Sequence, residues 1–239
     1  MRDTALDRQR VEGYSVDSKK SGDLDDAIHV ERHPEGGYRI FVHISDVSEA
    51  IKILSPIDQD AHERVVSLYH GANGVTHMLP QELATGVLSL GYGGKEYLHP
   101  TVTLEVHISA QGDIRSYQFY ESLMTNVRRY DFASFYEARH SSEDRDHKKV
   151  ALMEECARVI LRGEVAQRLP QERSRLYLRE DLISSESREI GAKYAQSVVQ
   201  PYMLLANHLA ASYMRTYAPE GVFRLQLSPE ELAYYARHP

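Results

Sequence analysis

The chain has 239 residues, 42% hydrophobic and 26% charged, with a formal net charge of −7 and one cysteine. This is enough length and apolar content for one large domain or two small ones. The lone Cys156 excludes internal disulfides and a cysteine-based zinc site and fits a reducing, cytoplasmic setting; the acidic balance argues against a general nucleic-acid binder but not against an enzyme that holds a polyanion through metal and a local basic groove.

In chain order, residues 1–12 read as a leader from an upstream segment, without the apolar core of a signal peptide. Gly13–Asp17 and Asp26–Glu31 read as short strands, and His33–Gly37 as a turn. Tyr38–Ile44 alternates with Tyr38, Ile40, Val42 and Ile44 on one face, which predicts a strand. Ser55–Pro56 opens a helix expected to reach Tyr69, with proline in the first turn where its missing N–H costs nothing. A loop from His70 to Met78 follows. Thr101–Ser109 alternates again, with Val102, Leu104, Val106 and Ile108 expected inward; Ala110–Asp113 turns, and Ile114–Tyr120 pairs back as a hairpin. After Tyr130 the period becomes helical: Lys148–Leu169 is one predicted helix and Pro201–Tyr217 a second, started by its proline. Ser228–Glu231 carries a capping box for a last helix. No apolar run approaches membrane-spanning length. The fold class expected is α+β, a mixed or antiparallel sheet packed with helices.

Four aspartates, Asp17, Asp23, Asp25 and Asp26, fall within ten residues in the spacing D-x5-D-x-D-D, just before the apolar run Ala27–Val30. Carboxylates this dense repel one another unless a cation neutralises them, and hard oxygen donors suit magnesium or manganese better than zinc. An EF-hand does not fit: counted from Asp17, position three is Lys19 and position twelve is Ile28. A solvated acidic turn is the bland alternative. Adjacent side chains such as Asp25 and Asp26 point to opposite faces of a strand, so one can face a metal while the other orients a water. The histidines His29, His33 and His43 match no zinc spacing. His43 falls on the polar face of its strand, where a structural hydrogen bond is expected, and Asp46 sits in a strand-end turn where aspartate bonds its own backbone. His70 and His77 flank a loop; surface positions are the favoured reading, a lining for a bound polyanion the alternative. The basic stretches nearest to a nucleic-acid-contact pattern are Arg128–Arg129 and Arg173, Arg175 and Arg179, with a solvated strand face the favoured reading of Arg175–Arg179. Gly91–Lys95 lacks the Walker spacing, so no nucleotide cofactor is expected.

These residues resemble the catalytic domain, RNB, of the ribonuclease II and ribonuclease R exoribonucleases. The aspartate run matches that family's metal site position for position. Gly37–Arg39 with Val42–Ser48, Ser55–Asp58, Arg64 with Ser67 and Tyr69, Met78–Leu83, Leu88–Leu90 and Met203–Asn207 follow its motifs in order. The resemblance covers residues 13 to about 130 well and 198–225 more loosely, and places the catalytic domain at 13–239. It implies a magnesium-dependent (manganese possible) hydrolase that works from the 3′ end of single-stranded RNA and releases nucleoside 5′-monophosphates. It further implies that Asp17, Asp23 and Asp26 hold metal, that Asp25 serves the chemical step, and that Tyr69 packs on the terminal base. Three departures stand beside it. The family's glutamate pair is here Gln200–Pro201, the stretch 139–198 is shortened, and the later arginine-bearing segment is expected to be missing. They leave as the alternative a truncated or impaired relative that binds RNA or regulates without hydrolysis.

Overall fold

The structure, a computed structural model, describes residues 8–70, 74–94, 96–164 and 187–221. The chain divides into two compact units, Met1–Leu205 and Ala206–Pro239.

The first unit is built on a closed barrel of five strands in the order β1 (Gln9–Asp17), β2 (Asp26–Arg32), β3 (Tyr38–Ser45), then Leu98–Ile108 and Ile114–Asp131. Three neighbouring pairs follow the alternation read from sequence and are antiparallel. Closure comes from the last strand, 18 residues long, lying parallel to β1 from Gln9↔Ser122 to Asp17↔Asp131. The predicted hairpin arm ended at Tyr120. The strand runs eleven residues further because its second half pairs with β1, which local periodicity does not encode.

Closure also changes which face is the core. Tyr38, Ile40, Val42, Leu104, Val106 and Ile108 are buried on one face. Tyr38 on that face donates its hydroxyl to Glu155 at 2.6 Å, so this is the outer wall, covered by helix. The other face lines the lumen and is largely polar: His43, Thr101, Thr103 and Ser122 are wholly buried. A carbonyl only accepts, so His43 Nε2 carries the proton that bonds Glu12 O at 3.1 Å. Its Nδ1 then accepts from Thr103 Oγ1 at 2.8 Å, and Ser122 bonds Thr103 at 2.6 Å and Thr101 at 2.7 Å. The structural role expected for His43 is observed. Gly13 lets the β1 backbone lie close against the lumen side chains: a Cβ there would stand 2.9 Å from His43 Cδ2 and 3.0 Å from Ala27 Cβ.

Between β3 and the fourth barrel strand lie α1 (Val47–Ala50), α2 (Pro56–Arg64), the two-residue strands β4 (Leu68–Tyr69) and β5 (Val75–Thr76), and a π-helical turn at Leu83–Val87. The barrel strands Leu98–Ile108 and Ile114–Asp131 are therefore β6 and β7. Asp46 caps α1, accepting from Ser48 N at 3.1 Å, as expected of a strand-end aspartate. The helix expected to reach Tyr69 stops at Arg64, where Val65 adopts φ 68°. Beyond it Leu68 and Tyr69 pair with Thr76 and Val75.

After β7 come α3 (Phe132–His140), capped reciprocally by Asp131 and Ser134, α4 (His147–Ile160), and α5 (Ser187–Tyr217). Val150, Met153, Cys156, Ala157 and Ile160 form the buried stripe of α4. Each large apolar side chain removed from water there contributes roughly 1.5–3 kcal/mol. Tyr202 of α5, fully buried, satisfies its hydroxyl on Met153 O at 2.6 Å. Pro201 does not start this helix but lies inside it. An interior proline forfeits a hydrogen bond at a cost of about 3 kcal/mol, and burial of Pro201, Tyr202 and Leu205 offsets that loss. In the second unit, the end of α5 sets Tyr213 and Tyr217 at 4.6 Å between ring centroids.

Residues 9–12, read from sequence as part of a leader, lie in β1, which begins at Gln9. Arg8 is buried among Asp46 at 3.0 Å, Glu121 at 3.3 Å and Glu49. The readings made for residues 165–186 and 222–239, including Arg173, Arg175, Arg179 and the final capping box, lie outside the described residues. No helix among the described residues is long and apolar enough to cross a membrane.

Candidate active site at the barrel rim

The four aspartates sit where two strands end. Asp17 is the last residue of β1 and Asp26 the first of β2. The strands are antiparallel, so both lie at one rim, with Asp23 and Asp25 on the connecting loop. The loop backbone is fixed from several sides. Leu24 is 1% exposed and packs with Ala27, Leu90 and Met124. Its N–H donates to Ser89 Oγ at 3.1 Å and its carbonyl accepts from Leu90 N at 2.8 Å. Ser45 N donates to Asp25 O at 3.0 Å, and Arg129 donates to the Ser21 carbonyl. The Leu88–Leu90 motif therefore anchors the aspartate loop.

The carboxylates share one field. Asp26 is pushed up to about 6, by burial first and then by Asp17 and Asp25. Asp25, although solvent-reachable, is also raised, by crowding of the surrounding protein first and then by Asp23 and Asp17, while His77 opposes the shift. Asp23 accepts the Tyr69 hydroxyl at 2.8 Å and faces His77 Nδ1 at 3.8 Å. Asp17 accepts from Ser18 N at 2.6 Å. Tyr69 is raised to about 12, foremost by its bond to Asp23. Its residue is 64% exposed, so the hydroxyl is tethered while the ring stands open. Arg64 donates to His77 O at 3.2 Å and Ser67 Oγ accepts from Met78 N at 2.9 Å. The Arg64, Ser67 and Tyr69 pattern is thus a set of ties fixing the β4–β5 hairpin to the rim.

All five residues singled out from sequence meet at this rim. Their donor chemistry, crowded hard oxygens of which two are raised by burial first and then by neighbouring carboxylates, fits a magnesium-type cation. Among the described residues, however, no three His, Cys, Asp or Glu side chains stand together as a ready ligand set. Asp23 is turned to Tyr69 and His77, and Asp17 to its own loop. His77 is the neighbour that sequence reasoning left at the surface. Its side chain is only 11% exposed, and no spacing signal links it to Asp23 because the β4–β5 hairpin brings them together.

A polar-lumen barrel with a carboxylate rim on its β1–β2 loop defines the class, and comparison supplies the family. The chain belongs to the RNB domain family, whose model matches residues 6–236; this is the ribonuclease R and ribonuclease II exoribonuclease family. It is similar to Ribonuclease R 1 of Lactococcus lactis, 26% identical over 228 residues that make up 91% of this chain and 27% of that protein. Ribonuclease R of Thermotoga maritima is 38% identical over 115 residues, 48% of this chain and 16% of that protein. The chain spans about a quarter of the length of the curated relatives that match most of it. Among solved structures, Mycoplasma genitalium RNase R in complex with ribose-methylated single-stranded RNA superimposes with a TM-score of 0.67 at 19% identity, covering 88% of this chain and 34% of that one. Yeast Ssd1, a pseudonuclease, gives a TM-score of 0.56 at 17% identity over 70% of this chain and 20% of its own. At these identities the structural likeness is one of fold.

Proposed function

We propose that this chain is the catalytic portion of a magnesium-dependent hydrolytic exoribonuclease, manganese being an alternative ion. It would act on single-stranded RNA from the 3′ end and release nucleoside 5′-monophosphates. The observation that carries the reading is the rim itself: four aspartates on a clamped loop, with Asp25 and Asp26 raised by burial and by their neighbours' charge. Asp17, Asp23 and Asp26 would hold the cation, after side-chain rotation about a fixed backbone. A bound Mg²⁺ supplies Lewis acidity toward the scissile phosphate. Asp25, raised but solvent-reachable, would orient the attacking water. Tyr69, tethered by its hydroxyl, offers an open ring face to the terminal base, and stacking of this kind is sequence-tolerant.

End-labelled single-stranded RNA incubated with the chain and Mg²⁺ tests this. Stepwise 3′ shortening that Asp25→Asn lowers by about 10²–10⁴-fold, the range for a positioned acid–base group, supports the nuclease. Gln200–Pro201, where the family has two carboxylates, favours a second reading as a non-hydrolytic RNA binder. RNA retention with no shortening in either protein would establish it and refute the first.

A further inference from the structure

On the wall of the first unit lies a cavity of about 360 Å³, lined by Asn126, Arg128, Arg129, Arg145, Tyr92 and the glycine loop around residue 91. Residues 126–129 are consecutive, and in a regular strand neighbours point to opposite faces. Here β7 pairs Gly13↔Asn126 and Tyr14↔Arg128, skipping Val127. This bulge lets successive side chains line one cavity, a known use of bulges beside sites.

The chemistry of the wall is specific. Arg128 is committed, bonding Asp144 at 2.9 and 3.1 Å and Asp146 at 3.1 Å. Arg145 bonds Asp146 through Nε at 3.3 Å and lines the cavity. Arg129 gives one nitrogen to the Ser21 carbonyl and, among the described residues, has no carboxylate partner. Arg129 and Arg145 bring two guanidinium groups to one wall of a chain of net charge −7, and arginine suits phosphate because its planar fork bonds two oxygens at once. Asn126 forms a buried part of the cavity lining. It is 9% exposed, and its Nδ2 donates to Ser15 Oγ and to the Leu90 carbonyl, each at 2.8 Å. The carbonyl fixes the amide orientation, and Oδ1 is left buried with no partner. Tyr92, held edge-to-face by Tyr97 at 5.4 Å, is 43% exposed.

We propose that this cavity binds one nucleoside monophosphate unit, outside the aspartate rim. Its phosphate sits on Arg129 and Arg145, and the base lies against Tyr92. The volume falls at the lower end of the small-molecule range of roughly 300–1,000 Å³, which suits a single nucleotide. The unit is a free nucleotide or one residue of an RNA strand; the chemistry is shared. The proposal concerns binding and does not rest on hydrolysis.

The test uses the whole chain in EDTA, so that cleavage plays no part, with AMP, adenosine and a short oligoadenylate titrated calorimetrically. Arg145→Gln is the cleaner variant, since Arg129 also ties the aspartate loop; Arg129→Gln is the second, with folding of both checked by circular dichroism. Expected are salt-sensitive binding of AMP or of the oligonucleotide, weaker binding of adenosine, a loss of about tenfold or more in Arg145→Gln, and a shift of the Asn126 side-chain amide resonances on titration. Binding of AMP identifies the free nucleotide, and binding of the oligonucleotide alone identifies the strand. Saturable binding that both arginine variants retain, or none up to about 10 mM of either ligand, overturns the proposal.

Discussion

Protonation of His43 provides a quantitative test of the polar lumen. The imidazole is held down to about 4, with burial the largest cause. In the unfolded chain the value is about 6.5. Between these values the unfolded state binds more protons, so stability rises with pH. The contribution is fully present above about pH 6.5 and is lost as pH falls through 4. Linkage over this interval gives a loss of about 2 kcal/mol between pH 7 and pH 5, and about 3 kcal/mol by pH 4. The geometry explains the loss: a protonated ring donates from both nitrogens, so Thr103 must give up its own donation to Nδ1 and reverse its bond with Ser122. The assay is urea unfolding across this pH range for the wild type and His43→Gln, whose amide keeps one donor and one acceptor. Burial also holds His29 and His99 down, so the difference between the two proteins isolates His43. Parallel pH profiles, or a His43 ring that titrates near 6.5 in the folded protein by NMR, would refute the account.

Gly13→Ala drives a Cβ toward Met124, which can yield, and toward His43 and Ala27, which are packed. We expect roughly 1–3 kcal/mol of destabilisation by chemical denaturation, the usual cost of overpacking. Tyr69→Ala removes both the ring and the tie to Asp23 and should weaken RNA binding by about 1–3 kcal/mol, whereas Tyr69→Phe keeps the ring and should retain most of it. Equal losses in a filter-binding assay would mean that the hydroxyl, not the ring, matters. Cys156 is buried and its thiol is raised to about 12. Thiol reagents should therefore modify it only on unfolding, and stoichiometric labelling of the native protein at neutral pH would contradict the packing of α4.

How much was legible beforehand depends on the range of the signal. Period-two alternation in Tyr38–Ile44 and Thr101–Ile108 reports local geometry, and both segments are strands. The four aspartates were legible because one short loop carries them all. What failed were boundaries that distant partners decide. β1 starts earlier than expected because β7 pairs with it from Gln9 onward. The helix after Ser55 ends at Arg64 because Leu68 and Tyr69 pair with β5 instead. Pro201 reads as a helix start from local rules, yet burial on α5 outweighs the lost hydrogen bond.

By itself, then, the sequence determined the strand periods, the α4 stripe and a crowded set of oxygen donors, since each is written in neighbouring residues. Only the tertiary structure decided that the sheet closes into a barrel, that its polar face becomes the lumen around His43, and that His77 and Tyr69 converge on Asp23. It also decided that a bulge at Val127 gathers Asn126, Arg129 and Arg145 around one cavity. The physical reason is common to all four: contacts between residues far apart in the chain depend on strand pairing and its register, which leave no local period to read.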